Sequence, residues 1–359
     1  MEPKDAVTEH RTIALTVRGW LLGAATISFA VLMWLVVANA LSAFILLFTA
    51  ILFAEGVRPS VHRLAKSMPH GVAIIAVLAS VLLAFVTATI ALIQPLGNQS
   101  ARLLAALPDI AQSLQSQFLE TQRFLHRSEG VEALVTSLSS ASTALLATAG
   151  QKLLGGPALL AQLFGDGVLI VLLTIAWLMA SAELETFVLS LLPPARRERW
   201  SGAFDEIGLK LGAYVQGVVI NGIVVGIATG AVLALLGIPY ALLLGVVAAI
   251  FPAIPLVGAV ISGPIIILAA LATSGWTKAL FATGAFVVVQ LVDQNVLSPI
   301  IFGQRVQLSF LLIVFSTVLG VTLLGIPGAF LAVPAAAALQ VIVVRIVAPA
   351  IRSANEPSP

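Results

Sequence analysis

The sequence has no cysteine among its 359 residues, and charged residues make up only 9% of it. The missing cysteines exclude disulfide scaffolds, thiol chemistry and metal sites built from thiolates. The shortage of charged residues, with a net charge of only +2 at pH 7, excludes a disordered chain and a nucleic-acid-binding protein. We therefore expect no nucleic-acid partner.

Hydrophobic residues are abundant instead and make up 60% of the chain. Average proteins have about 45–50%, and a soluble fold of this length could not bury the excess. Several apolar runs reach the roughly 20 residues that a helix needs to cross a hydrocarbon core about 30 Å thick. The sequence therefore predicts an all-α polytopic membrane protein with about eight membrane-inserted segments.

The first half of the chain contains four predicted spans and one polar segment. The apolar run 19–54 is too long for one span and predicts two helices joined by a turn near 39–42. Further spans are expected at 70–93 and 165–182. Between them, residues 94–162 carry charges of both signs and apolar residues at helical spacing, which predicts an amphipathic helical insert outside the membrane.

Basic residues in the short loops predict the orientation of the spans. The N-terminal segment, the 55–69 loop and the 190–210 loop are all basic, and basic short loops lie in the cytoplasm. Both termini are therefore expected in the cytoplasm and the 94–162 insert outside. The predicted organisation is 1–93 (three spans), 94–162 (insert), 163–205 (fourth span and basic loop), 206–347 (transport core) and 348–359 (cytoplasmic tail).

The C-terminal half contains apolar runs that glycine and proline interrupt. The runs 238–273 and 308–347 are each too long for one span and too short for two. Two topologies remain open: each run is a bent helix that crosses once, or a re-entrant hairpin, which we prefer. Paired interruptions of this kind indicate a transporter site. The residues expected to shape its cavity are Pro252, Pro255, Gly258, Pro299, Gly303, Gly325, Pro327 and Gly328.

The segment 206–236 predicts one long helix with two unlike faces. At 100° per residue, one face is polar and the opposite face carries five glycines. The glycine spacing favours close helix packing. The polar face either lines a wet path or belongs to a tightly packed helix whose lower end is cytoplasmic. It consists of Glu206, Lys210, Tyr214, Gly217 and Asn221.

The segments 237–245 (Gly-Ile-Pro-Tyr-Ala-Leu-Leu-Leu-Gly) and 254–261 (Ile-Pro-Leu-Val-Gly-Ala-Val-Ile) resemble the autoinducer-2 exporter family, the AI-2E or PerM-like permeases. The resemblance continues through Asp293, Asn295, Pro299, Gly303 and Val306, then Gly320, Gly325, Gly328 and Pro334. It implies a bacterial inner-membrane protein that exports small molecules such as autoinducer-2, with cation/proton antiport in some members. It also implies a homo-oligomer.

Asp293 is the strongest candidate for a functional side chain because it is the acid that follows an apolar helix in the core. A charge at bilayer depth is costly and is usually paired or functional. Asp293 would bind a cation or accept a proton; alternatively, it braces the following loop near the interface. Arg305 would bind a solute or anchor the chain at the headgroups. The candidate solute- or ion-binding residues are Tyr214, Asn221, Gln290, Asp293, Asn295 and Arg305.

The chain has no phosphate-binding loop, no His-Glu-x-x-His and no Gly-x-Ser-x-Gly. We therefore expect no enzyme activity, no cofactor and no metal centre, and the energy for transport would come from a gradient. The predicted function is a secondary transporter for a small polar solute, with H+ or Na+ as a further partner. The alternatives are a cation/proton antiporter and a membrane scaffold that does not transport.

Overall fold

The computed structural model describes residues 17–124, 156–254, 257–302 and 308–355, and all regular structure within these ranges is helical. This confirms the all-α prediction. Two π-helical turns, Asp293–Leu297 and Val343–Val347, and one 3-10 turn, Phe251–Ala253, interrupt the series. The α-helices are α1 (Val17–Leu64), α2 (His70–Phe124), α3 (Gly156–Ser190), α4 (Pro194–Leu235), α5 (Ala241–Ile250), α6 (Val257–Val292), α7 (Ser298–Phe302), α8 (Phe310–Ile342) and α9 (Ala348–Asn355).

Six helical stretches in the described ranges are long and apolar enough to cross a membrane, which confirms a polytopic membrane protein. A shorter apolar stretch, Ala241–Ala253, lies between the fourth and the fifth. The six are Ala40–Leu64, His70–Gln99, Gly165–Ser190, Pro194–Leu235, Val257–Phe302 and Phe310–Ile351.

The chain divides into two compact units, Met1–Leu46 and Leu47–Pro359. The described part of the first unit is the beginning of α1. The predicted turn near 39–42 is wrong, because these residues lie inside α1. Neither proline nor glycine occurs there, and a single asparagine costs a helix only about 0.7 kcal/mol.

Helix α2 runs from the third predicted span into the predicted insert without a break, so residues 94–124 are helical as expected. Residues 125–155 lie outside the described ranges. Within the second unit, α2 also contacts α5: the side-chain carbonyl oxygen of Gln99 accepts a hydrogen bond of 3.0 Å from the backbone N–H of Leu243.

Helix α4 packs through its glycine face, as predicted. A Cβ atom at Gly212 would lie 2.5 Å from the carbonyl oxygen of Glu55 in α1. A Cβ atom at Gly222 would lie 2.5 Å from the carbonyl oxygen of Ala249 in α5. Only glycine allows backbones to approach this closely. The face therefore packs against α1 in its first half and against α5 in its second half.

The first interrupted run forms a helical hairpin, here the first hairpin (residues 241–274). Helix α5 runs antiparallel to α4, since Ala241 lies beside Gly230 and Ala249 beside Gly222. The chain then turns tightly, because a Cβ atom at Gly258 would lie only 2.2 Å from the carbonyl oxygen of Phe251. This turn, between Phe251 and Gly258, is the tip of the first hairpin, and its described residues are 251–254 and 257–258.

The chain reverses again inside α6, at Gly275, where φ is +77°. A Cβ atom at Gly263 would lie 3.0 Å from the ring of Phe286, whereas a straight helix would separate these residues by about 34 Å. The Lys278 ammonium donates to the carbonyl oxygen of Gly237, just beyond α4. The first hairpin therefore enters from the C-terminal end of α4.

The second interrupted run is also a hairpin, here the second hairpin (residues 310–342), with its tip at Gly325, where φ is +64°. A Cβ atom at Gly328 would lie 2.1 Å from the carbonyl oxygen of Gly320, whereas a straight helix separates such residues by about 12 Å. Beyond the tip, Gln340 contacts Lys210, near the beginning of α4. The two hairpins therefore enter from opposite ends of α4, as the preferred topology requires.

Candidate functional site

The polar face of α4 brings the two hairpins together at Tyr214. Its side chain is buried, with 2% of its surface exposed. The hydroxyl donates a hydrogen bond to the carbonyl oxygen of Ala253 in the first hairpin, at 3.2 Å. It also lies 3.4 Å from the carbonyl oxygen of Phe330 in the second hairpin, in donor geometry. One side chain therefore contacts the backbone of both hairpins.

Local backbone breaks make both carbonyl groups available to Tyr214. In a regular helix the carbonyl of Phe330 would accept from the residue four positions later, but that residue is Pro334, which has no N–H. Ala253 ends the 3-10 turn, and the backbone is extended at the next residue, Ile254. The proline at position 334 and the end of the 3-10 turn therefore leave backbone acceptors that Tyr214 can bind.

Aromatic rings surround the Tyr214 ring. The ring centroids of Phe302 and Phe330 each lie 6.3 Å from that of Tyr214. Phe302 also lies against Gly217, whose Cβ atom would be 2.5 Å from its ring. We call the group Tyr214, Ala253, Phe302 and Phe330 the Tyr214 junction. Apolar rings around a few backbone carbonyls are typical of a solute site, which combines an apolar lining with a few well-placed polar groups.

Asp293 is also buried, with 7% of its surface exposed. It begins a π-helical turn, a feature that is frequent at functional sites, and its carboxylate accepts from the Ser298 hydroxyl at 3.2 Å. At 1.5 Å per residue, Asp293 lies about 22 Å along its helix from Lys278. This places Asp293 well inside the helical layer, away from both ends of its helix.

Asn221 has a buried polar atom with no partner. It is 4% exposed, and its side-chain oxygen accepts no hydrogen bond. Asn221 lies about 21 Å from the end of α4 at Leu235, which matches the depth of Asp293 below Lys278. Two predicted residues therefore share one level in the apolar part of the protein, and one of them has an acceptor free for a ligand.

The other predicted site residues differ in burial, and some lie outside the described residues. Gln290 is partly buried, one turn before Asp293. Asn295 is exposed, and its amide donates to the carbonyl of Leu291 in its own helix, so it does not contribute to the junction. Pro299 is exposed as well. Pro255, Gly303 and Arg305 lie outside the described residues.

The lower part of the polar face is covered by the end of the second hairpin and the π-helical turn after it. Lys210 pairs with Glu206 at 3.4 Å and donates to Gln340 at 3.4 Å. Arg345 forms an ion pair with Glu206. The polar side chains of this face below Tyr214, Glu206 and Lys210, therefore bind other protein side chains. The Glu206 and Arg345 side chains stay partly exposed.

Sequence reasoning missed Glu55 as a second buried acid. It is 5% exposed and accepts a hydrogen bond of 2.9 Å from the Trp177 indole. Arg58 pairs with the same carboxylate at 3.0 Å and donates to Ser181. The available signal was the spacing of Glu55 and Arg58, one helical turn apart. Among the described residues, Asp293 is therefore not the only buried acid, although Glu55 lies on the glycine face of α4, away from Tyr214.

Known proteins support a transport role for this architecture. The family model described as AI-2E family transporter matches residues 24–348. A Bacillus subtilis protein named "Putative transport protein YueF" is 28% identical over 302 residues, which is 80% of each chain. A Mycobacterium tuberculosis relative of the same description, MT0215, is 28% identical over 207 residues, 58% of this chain and 54% of its own. The chain is a member of the AI-2E transporter family.

Proposed function

We propose that the protein is a secondary transporter that exports small polar molecules, such as autoinducer-2, across the bacterial inner membrane. The observation that carries the proposal is the meeting of two opposed hairpins at Tyr214 of α4, the helix that also carries the buried Asn221. Broken helices that meet at mid-depth are the usual site of secondary transporters. The solute would bind between the hairpin tips.

The groups around this site favour an uncharged, hydroxyl-bearing solute. Two backbone carbonyls and the Asn221 side-chain oxygen are acceptors, and the Tyr214 hydroxyl both donates and accepts. Such groups recognise solute O–H and N–H donors without requiring charge. The surrounding rings of Phe302 and Phe330 would exclude water from these hydrogen bonds.

Asp293 would couple transport to a proton gradient. A charged carboxylate at the centre of a bilayer costs about 2.5–3.5 kcal/mol or more, and such a group is usually paired or functional. The Asp293 carboxylate accepts a hydrogen bond from the Ser298 hydroxyl, and a bound proton or cation would neutralise its charge during transport. The same arrangement supports cation/proton antiport as a second candidate function.

Alternating access would follow from movement of the hairpins against α1–α3. The basic beginning of α4, with Arg196, Arg197 and Arg199, would face the cytoplasm. The first hairpin would then enter from outside and the second from the cytoplasm. Exposed apolar side chains on the outer helix faces would contact lipid and further copies of the chain.

Comparative metabolite profiling tests this proposal. Cells would carry the wild-type protein, Asp293→Asn, Asp205→Asn or no protein, at matched abundance. Asp205 is exposed near the beginning of α4, so its variant controls for the loss of one acid. Autoinducer-2 and other small metabolites would be quantified inside and outside the cells.

Export predicts solutes that accumulate outside with the wild type and Asp205→Asn, and at least about tenfold less with Asp293→Asn, as for loss of a coupling group. Equal metabolite profiles in all four strains would count against export. Proton release driven by added Na+ in vesicles, lost in Asp293→Asn, would then support antiport instead.

A further inference from the structure

The Tyr214 hydroxyl contacts two acceptors but has one proton. Ala253 and Phe330 each present a carbonyl oxygen within 3.4 Å of it, one from each hairpin tip. A phenol hydroxyl donates one full hydrogen bond. At any instant the hydroxyl therefore donates a full hydrogen bond to the carbonyl of one hairpin and at most a weak one to the carbonyl of the other.

Burial makes the lack of a second donor for these two carbonyls important. Tyr214 is 2% exposed, so little water reaches the second carbonyl. Pro334 removes the amide that would otherwise satisfy Phe330. A buried acceptor without a donor is unfavourable, so the two carbonyls compete for the same proton.

We propose that Tyr214 couples the two hairpin tips as a reciprocal latch. When the carbonyl of one tip moves away from the hydroxyl, the hydroxyl donates its full hydrogen bond to the carbonyl of the other tip and holds that tip more firmly. Opening of one tip thus opposes opening of the other. Under the proposed transport function, on which this consequence rests, the latch keeps the site from opening to both sides at once.

Two glycines offer a way to loosen each tip separately. A Cβ atom at Gly258 would lie 2.2 Å from the carbonyl oxygen of Phe251, so Gly258→Ala strains the tip of the first hairpin. A Cβ atom at Gly320 would lie 2.3 Å from the carbonyl oxygen of Gly328, so Gly320→Ala strains the second. The Tyr214 hydroxyl bonds to Ala253 and Phe330, so neither substitution changes one of its partners.

Amide hydrogen exchange of the purified protein, without solute, measures the opening of each tip. The peptides followed would cover 248–258 and 324–333. The proteins compared would be the wild type, Gly258→Ala, Gly320→Ala, Tyr214→Phe, and each glycine variant combined with Tyr214→Phe. Tyr240→Phe is the matched control, since it removes the hydroxyl of the only other tyrosine in the sequence.

Tyr214→Phe is expected to speed exchange at both tips about fivefold, the effect of one lost hydrogen bond, while Tyr240→Phe leaves the second tip unchanged. Gly258→Ala is expected to speed exchange at its own tip and to slow it at the second tip about twofold to fivefold. Gly320→Ala should do the reverse. In the Tyr214→Phe background, neither glycine variant should slow exchange at the opposite tip.

A purely structural role for Tyr214 predicts no slowing at the distant tip. The latch is refuted if loosening one tip leaves the other unchanged or speeds it, or if the slowing persists without the hydroxyl. Because no solute or gradient is present, these results are independent of the metabolite profiles. Should one glycine variant fail to fold, the other still tests the opposite direction.

Discussion

Gly212 offers a quantitative test of how closely α4 packs against α1. Its missing Cβ atom would lie 2.5 Å from the carbonyl oxygen of Glu55 and 3.1 Å from the carbonyl carbon, both backbone atoms. Ordinary contacts begin at 3.4 Å, so Gly212→Ala requires the helices to separate by about 1 Å. A side chain that intrudes on a packed interface costs about 1–3 kcal/mol.

Gly284→Ala is the matched control for this substitution. Gly284 also lies within a helix, but nothing lies within 4 Å of its missing Cβ atom. Both substitutions gain about 0.5–1 kcal/mol of helix preference, so this gain cancels when the two are compared. The difference between the two variants is then the steric cost, about 1–3 kcal/mol.

Thermal unfolding of the purified protein in detergent, followed by intrinsic tryptophan fluorescence, measures this difference. Gly284→Ala should match or exceed the wild-type midpoint, and Gly212→Ala should fall below it by several degrees, since about 1 kcal/mol corresponds to a few degrees. Equal midpoints for the two variants would refute the close contact between α1 and α4.

Three further substitutions separate structural from functional polar groups. Arg58→Gln leaves the buried Glu55 carboxylate without its ion-pair partner and should lower stability by about 3 kcal/mol, measured by the same unfolding assay. Arg345→Gln breaks a partly exposed pair with Glu206 and should cost less than about 1 kcal/mol, so a larger loss would show that this pair matters more than its exposure indicates. Asn221→Leu removes an unpartnered buried oxygen; stability should hold while export of the identified solute falls at least about tenfold, and unchanged export would remove Asn221 from the site.

The hairpins could be predicted from the sequence because proline and glycine act locally. Pro252, Gly258 and Gly325 lie where the two apolar runs turn. The length of each run, between one and two spans, favoured a hairpin only slightly over a kinked helix. Contacts distant in sequence, such as Gly263 with Phe286, decide between them.

A repeated pentapeptide marks two similar chain turns, although its leucine-rich composition alone does not indicate this. Leu-Leu-Gly-Ile-Pro occurs at 235–239 and 323–327, and the abundance of leucine makes a chance repeat reasonable. In the structure both central glycines, Gly237 and Gly325, have φ near +63° at the end of a helix. Glycine at a positive φ followed by Ile-Pro ends one helix and begins the next.

The candidate site was only partly predictable. Helical phase placed Tyr214 and Asn221 on one face of α4, and both are buried. The partners of Tyr214 are backbone carbonyls, which no side-chain pattern reveals. Asn295 resembles a site residue in the sequence but bonds within its own helix. Glu55 was missed because its burial depends on Trp177 and α4, far along the chain.

The uninterrupted α2 connects the first part of the polar insert rigidly to the membrane-spanning part of the same helix. At 1.5 Å per residue its 55 residues extend for about 82 Å, far more than the thickness of a hydrocarbon core. Gln99 lies part-way along this rod and holds the backbone of Leu243 at the start of the first hairpin. A tilt of α2 that moved Gln99 would therefore have to break this hydrogen bond or move the start of the first hairpin with it.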